Sequence, residues 1–153
     1  MKTKINDTNR IELIFQNYPE NERIGRMMAA AFASVVNPTM EELSDFKTAV
    51  SEAVTNAIIH AYPKTQGDIH MILERRENVV TVHIHDYGIG IKDIKKSMEP
   101  LYTTLKDEER SGMGFTFMEA FTDTVQVESE PGKGTRVSLT KKMGGERWNI
   151  PVN

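Results

Sequence analysis

Ile11, Leu13 and Phe15 alternate with polar residues, the period of a strand with one buried face. Across 22–36 the spacing becomes helical, which assigns Ile24, Met27, Met28, Ala31 and Val35 to an apolar face. Asn37-Pro38 ends that helix, because proline lacks an amide proton and disfavours helix in the residue before it. Thr39 offers an N-cap hydroxyl with Glu42 three positions on, a capping box that opens a second helix over 40–62. Its stripe runs through Leu43, Phe46, Val50, Ala53, Val54, Ala57 and Ile58, and Pro63 stops it before a turn near Gly67. Ile69, Met71 and Leu73, then Val80, Val82 and Ile84, alternate as two strands, the second ending at Asp86. Asn78 between them predicts a hairpin.

A short helix is predicted over 92–98, and the charged, weakly periodic stretch 100–111 reads as a mobile loop. Gly114 opens a helix with Phe115, Met118 and Phe121 apolar. Val125 and Val127 form a strand, Pro131-Gly132-Lys133-Gly134 a turn, and Val137 and Leu139 a returning strand. Helices segregated from a mainly antiparallel sheet make an α+β two-layer sandwich with the helices on one face. One domain over 1–143 is expected, with 144–153 as a loose tail.

Composition narrows the function classes. A chain of 153 residues suits a single domain with a usable core. The formal charge of −3 leaves no basic footprint for direct nucleic-acid binding. No apolar run approaches the roughly 20 residues that span a bilayer, and the polar start lacks the apolar middle of a signal peptide. The absence of cysteine removes disulfides, thiolate metal sites and cysteine nucleophiles, and fits a cytoplasmic protein.

Three motifs carry candidate chemistry. Glu52, Asn56 and His60 recur every fourth residue; at about 100° per residue each step turns only about 40°, so they share one strip of the helix. That spacing alone fits an exposed helix face. The surrounding Ala49, Val50, Ala53, Val54, Ala57, Ile58 and Ile59 set the strip in an apolar rim instead, where a carboxylate beside an amide suits a proton acceptor and a cation ligand. Asp86-Tyr87-Gly88-Ile89-Gly90 places a carboxylate at a strand end, before glycines that tolerate positive φ or close backbone approach. Without further context it is a glycine turn; as a site, its carboxylate accepts a hydrogen bond from an exocyclic amine such as that of adenine, and is repelled by guanine's carbonyl. Arg110-Ser111-Gly112-Met113-Gly114 precedes a helix, so its amides and the Arg110 fork form an anion cradle, or else a glycine-bearing loop. No P-loop and no protein-kinase H-R-D or D-F-G motif is present.

In this order, each at a predicted element boundary, the three motifs resemble those of the GHKL superfamily of gyrase-type, heat-shock-chaperone and histidine-kinase ATPases, over about 42–139. The resemblance implies the Bergerat fold and an ATP or ADP pocket formed by Asn56, Asp86, Gly88, Gly90, Ser111, Gly112, Met113, Gly114, Phe115 and Thr135, the last supporting Asp86. His60-Ala61 stands where many relatives have His-Gly. Longer stretches, Ser51 through His60, Pro100-Leu101-Tyr102-Thr103-Thr104, Glu109 through Phe115 and Asn37 through Leu43, are similar to the anti-sigma-factor serine kinases of spore-forming bacteria, the sporulation branch more than the general-stress branch.

That resemblance implies a homodimer that sequesters a sigma factor and phosphorylates a serine of an anti-anti-sigma partner. It implies Glu52 as general base, Asn56 as Mg²⁺ ligand, Arg110 as catalytic cation, and Thr103 and Thr104 in a phosphate lid. Arg23 and Arg26, three apart on the first helix, either face an acidic partner or form an ordinary solvated face. A histidine kinase would need a phosphoacceptor helix pair before the ATPase region, whereas His60, His70, His83 and His85 all fall inside it. Two other classes remain open: a histidine-kinase catalytic domain acting in trans, and an inert nucleotide-responsive binding module.

Overall fold

The computed structural model describes residues 8–99 and 114–144. Strand β1 (Thr8–Gln16) leads into helix α1 (Glu20–Ala33), a short 3₁₀ turn at Ser34–Val36 and helix α2 (Met40–Asn56). Asn37 takes the left-handed conformation at φ 51°, which ends the 3₁₀ turn and frees the chain to restart. The capping box forms as the sequence predicts: the Glu42 amide donates to Thr39 Oγ1 at 3.0 Å, and the Thr39 amide to Glu42 Oε1 at 3.4 Å. Glu42 Oε2 also accepts from the Gly144 amide at 2.7 Å, which ties the first residue of the expected tail to this cap. The rest of that tail, 145–153, and the loop 100–111 lie outside the described residues.

Strands β2 (Asp68–Arg76) and β3 (Val79–Asp86) form the expected hairpin, with Glu77 at φ 51° in a turn that includes Asn78. Helices α3 (Ile94–Ser97) and α4 (Gly114–Phe121) precede the final hairpin of β4 (Thr124–Glu130) and β5 (Gly134–Lys142). All pairings are antiparallel, in the order β1-β2-β3-β5-β4, so β1 is an edge strand. The wholly antiparallel sheet sharpens the expectation of a mainly antiparallel one. No helix among the described residues is long and apolar enough to cross a membrane.

Alternation decides which side of the sheet is inside. Ile69, Met71 and Leu73 of β2, Val80, Val82 and Ile84 of β3, and Val137 and Leu139 of β5 are buried against Phe46, Val50 and Val54 of α2, Ala29, Phe32 and Ala33 of α1, and Met118 of α4. Their neighbours along each strand face the other way. This outer row includes His70, His83, His85, Arg136 and Ser138, with His70 opposite His85 and His83 opposite Ser138.

One expectation is overturned. The α1 face assigned to the core is the exposed one: Ile24 is 51% exposed, Met27 57% and Val35 54%, and Ala31 is exposed with them. The buried face is Gly25, Ala29, Phe32 and Ala33, continued by Val36. Both sets satisfy helical spacing, so periodicity alone cannot choose. Close packing chooses the small residues, since a Cβ at Gly25 would already stand 3.0 Å from Met71 Cε.

The outer histidines make stability acid-sensitive. Burial, with the nearby Arg136 charge, lowers the affinity of His83 for a proton despite its contact with Glu74. Burial, then Arg136 and His70, does the same to His85. Both rings bind a proton less readily folded than unfolded, so their contribution is full above the ordinary value of 6.5 and is lost as pH falls below it. Melting temperature should therefore fall between about pH 7 and about pH 5, and the double variant His83→Gln/His85→Gln should fall less over that interval. An unchanged slope in calorimetry of the variant would rule these rings out as the cause.

Candidate functional site

A cavity of about 460 Å³ opens between the end of α2, the end of β3, the loop after it and the β4–β5 turn. Asn56 and His60 enter from the helix, Asp86 from the strand, Thr135 from β5, and Gly114 and Phe115 from the start of α4. Its walls are apolar, with Ala53, Ala57, Ile84, Ile89, Ile91 and Val137. A mostly apolar slot with a few fixed polar groups is the expected shape of a site for a flat organic ligand.

The helix does not keep α geometry to its end. From Ala57 to Ala61 it widens into a π turn, a departure that places one extra residue in the turn and often marks functional sites. Four-residue spacing therefore does not describe the strip beyond Asn56, although Asn56 and His60 both reach the cavity. Glu52, half-buried one α-helical turn earlier, is not among the lining residues.

Asp86 is 5% exposed. Its Oδ1 accepts from the Gly88 amide at 3.0 Å and the Thr135 amide at 3.2 Å. Those amides favour the ionised carboxylate, but burial is the larger effect and raises its pKa above the ordinary 3.8. Oδ2 has no hydrogen bond among the described residues, and is the acceptor left for a ligand donor such as an exocyclic amine. Thr135 supports Asp86 through its amide, while its hydroxyl meets Ser129 Oγ at 2.7 Å.

The two glycines after Asp86 serve the two uses expected of them, close backbone approach at Gly88 and positive φ at Gly90, although Gly88 approaches the protein's own helix end. Gly88 does not line the cavity; a Cβ there would lie 2.1 Å from the Ala61 carbonyl oxygen, so glycine lets the loop lie directly on the end of the helix. Gly90 does line it, at φ 75°, and a Cβ would strike the Glu130 carbonyl oxygen at 2.3 Å. Backbone bonds from the Ile89 amide to Ala61 (3.0 Å) and from the Gly132 amide to Ile89 (2.8 Å) stitch the loop between helix and hairpin. The Ile91 amide donates to Ser129 Oγ at 2.7 Å.

Of the other expected site residues, Thr103, Thr104, Arg110, Ser111, Gly112 and Met113 lie outside the described residues. Arg23 is exposed, as a solvated face would be. Arg26 is not simply solvated: its Nε lies 3.2 Å from Glu22 Oε1, which also accepts from Ser51 Oγ of α2 at 2.6 Å, so it helps tie the two helices together. The apolar rim read around the helix strip supplies Ala53 and Ala57, but the motifs did not reveal Ile84, Ile91, Val137 or Lys92 as lining residues. Ile89 and Ile91 alternate with the glycines, a two-residue spacing that signals both side chains on one side of the chain.

Comparison with known proteins agrees with this geometry. Residues 15–141 match the model of the histidine kinase-like ATPase domain family. An anti-sigma F factor of a Thermoanaerobacter species is 50% identical over 140 residues, covering 92% of this chain and 98% of that protein. The anti-sigma F factor of Clostridium acetobutylicum is 52% identical over 134 residues, covering 88% and 94%. Among solved structures, the RsbU and RsbW domains of a Mycobacterium tuberculosis protein share the fold at a TM-score of 0.63 and 17% identity, over 88% of this chain and 32% of that one. The histidine kinase domain of an Erythrobacter litoralis blue-light activated histidine kinase does so at 0.54 and 17%, over 84% and 63%. The chain therefore belongs to the histidine kinase-like ATPase domain family and, within it, to the anti-sigma F factors.

Proposed function

We propose that this protein is an ATP-dependent serine kinase and anti-sigma factor: it holds a sporulation sigma factor (sigma F) away from RNA polymerase and phosphorylates, and so inactivates, an anti-anti-sigma partner. The observation that carries nucleotide binding is Asp86, buried at the cavity wall with both amide bonds on one oxygen. An adenine amine donates to the other oxygen, and the apolar walls cover the ring faces. The relatives' name supports the sigma factor partner, and the resemblance of the long stretches quoted above supports the anti-anti-sigma partner.

The donor set fits Mg²⁺ carried by nucleotide phosphates. Mg²⁺ takes most of its ligands from phosphate and water and needs one or two from protein. Asn56 lines the cavity and offers an amide oxygen. Bound there, the ion would neutralise phosphate charge. Glu52 would take the proton of the partner's serine hydroxyl as its oxygen bonds to the γ-phosphorus and ADP leaves. Arg110 would meet charge on the transferred group, and Thr103 and Thr104 would cover the phosphates. The kinase domain would span 1–143 with 144–153 as a tail, in the cytoplasm.

Two exposed features support a homodimer. Edge strand β1 has an unpaired side, and the adjacent α1 presents Ile24, Met27 and Met28. Arg23 and Arg26 on the same helix would serve an acidic partner. The test is incubation with labelled ATP and candidate partners, followed by acid treatment. Acid-stable phosphoserine is expected; acid-labile label would indicate a histidine kinase, and binding without transfer an inert nucleotide switch.

A further inference from the structure

We infer that Lys92 is a specificity-determining residue that reads the phosphates of the bound nucleotide. This assignment rests on the ATP-binding reading above and extends it to a residue that no motif singled out. Lys92 lines the cavity, and among the described lining residues it is the sole lysine or arginine. Its backbone position is fixed, because it follows directly on Ile91, whose amide is held by Ser129 Oγ at 2.7 Å. Its side chain is exposed at the rim and has no ion pair or hydrogen bond among the described residues.

The neighbouring charges leave Lys92 available. Asp93 also lines the cavity, but its Oδ1 accepts the Lys96 amide at 3.0 Å as the N-cap of α3. Asp86 is buried in the cavity wall, and its Oδ1 is held by two backbone amides. A triphosphate that projects from an adenine held at Asp86 needs cationic contacts at the mouth. An ammonium on a flexible stem supplies a strong, adjustable donor there. Adenosine, with no phosphate, gives Lys92 nothing to hold.

Calorimetric titration of the full chain with adenosine, ADP and ATP separates these contributions. Lys92→Ala should bind ADP and ATP about tenfold more weakly, the low end for a charge-assisted hydrogen bond because the position is exposed. Adenosine affinity should be unchanged. Lys92→Arg should stay close to wild type, and Lys92→Glu should lose more than the alanine variant. The wild type should also lose ATP affinity with added salt more steeply than Lys92→Ala. Unchanged ATP affinity in Lys92→Ala would overturn the assignment, as would a parallel loss of adenosine, which would make Lys92 part of the wall. If the folded wild type binds none of the three ligands, the nucleotide reading itself fails and the role of Lys92 falls with it.

Discussion

Glu52→Gln is expected to retain ATP binding while losing about 10²- to 10⁴-fold of the phosphotransfer rate, the usual contribution of a positioned general base. Glutamine keeps the size and shape of the side chain, and its amide oxygen still accepts a hydrogen bond, but it does not take up a proton at neutral pH. The position favours a clean separation of the two effects. Glu52 lies outside the cavity lining, one turn of α2 before Asn56, so the contacts that hold a base and sugar do not pass through it. The measurement is a single-turnover transfer of labelled phosphate to the partner, beside calorimetric ATP affinity. Transfer at the wild-type rate would remove Glu52 from the chemistry. Loss of ATP affinity equal to the loss of rate would make it a binding residue instead.

Asp86→Asn should weaken ATP binding about 10- to 100-fold without weakening the empty fold, the range for losing a hydrogen bond to a charged group. Asparagine Oδ1 can still accept the Gly88 and Thr135 amides, so the loop keeps its anchors. The second position becomes an NH₂ group, a donor facing the donor of adenine, and the pairing is lost. Stability moves the other way. Burial raises the Asp86 pKa, so the folded state holds the proton more readily than the unfolded chain. The associated stability is therefore present at low pH and lost as pH rises through the raised value, which leaves a buried charge that costs stability at neutral pH. Removing that charge should leave the melting temperature of the nucleotide-free protein level, or raise it by about 2 °C. In the wild type, ATP affinity should fall as acid protonates the carboxylate. A variant that loses affinity and also melts many degrees lower would show that Asp86 acts through the fold.

Much of this architecture is legible in the chain because short-range physics fixes it. The Thr39–Glu42 capping box, the two hairpins and the strand ending at Asp86 need only local periodicity, turn chemistry and an N-cap. The orientation of α1 is not local. Ile24, Met27 and Met28 make as good an apolar stripe as Gly25, Ala29 and Phe32, and only contact with Met71 and α2 selects the second. The exposed stripe then becomes a surface that a partner or a second copy can cover.

The site divides in the same way. Residue types and order along the chain nominate Asn56, Asp86, Gly90 and Gly114, the family resemblance adds Phe115 and Thr135, and all of them line one cavity. Sequence determines the donors and acceptors because an amide, a carboxylate and a glycine have fixed chemistry wherever they sit. Tertiary structure alone decides how each is used. It packs Gly88 against the Ala61 carbonyl, and it adds the distant Thr135 amide to the local Gly88 amide on Asp86 Oδ1. It also brings Lys92 to the cavity mouth. These features arise from contacts between residues far apart in sequence, where neither the 3.6-residue nor the two-residue period carries information.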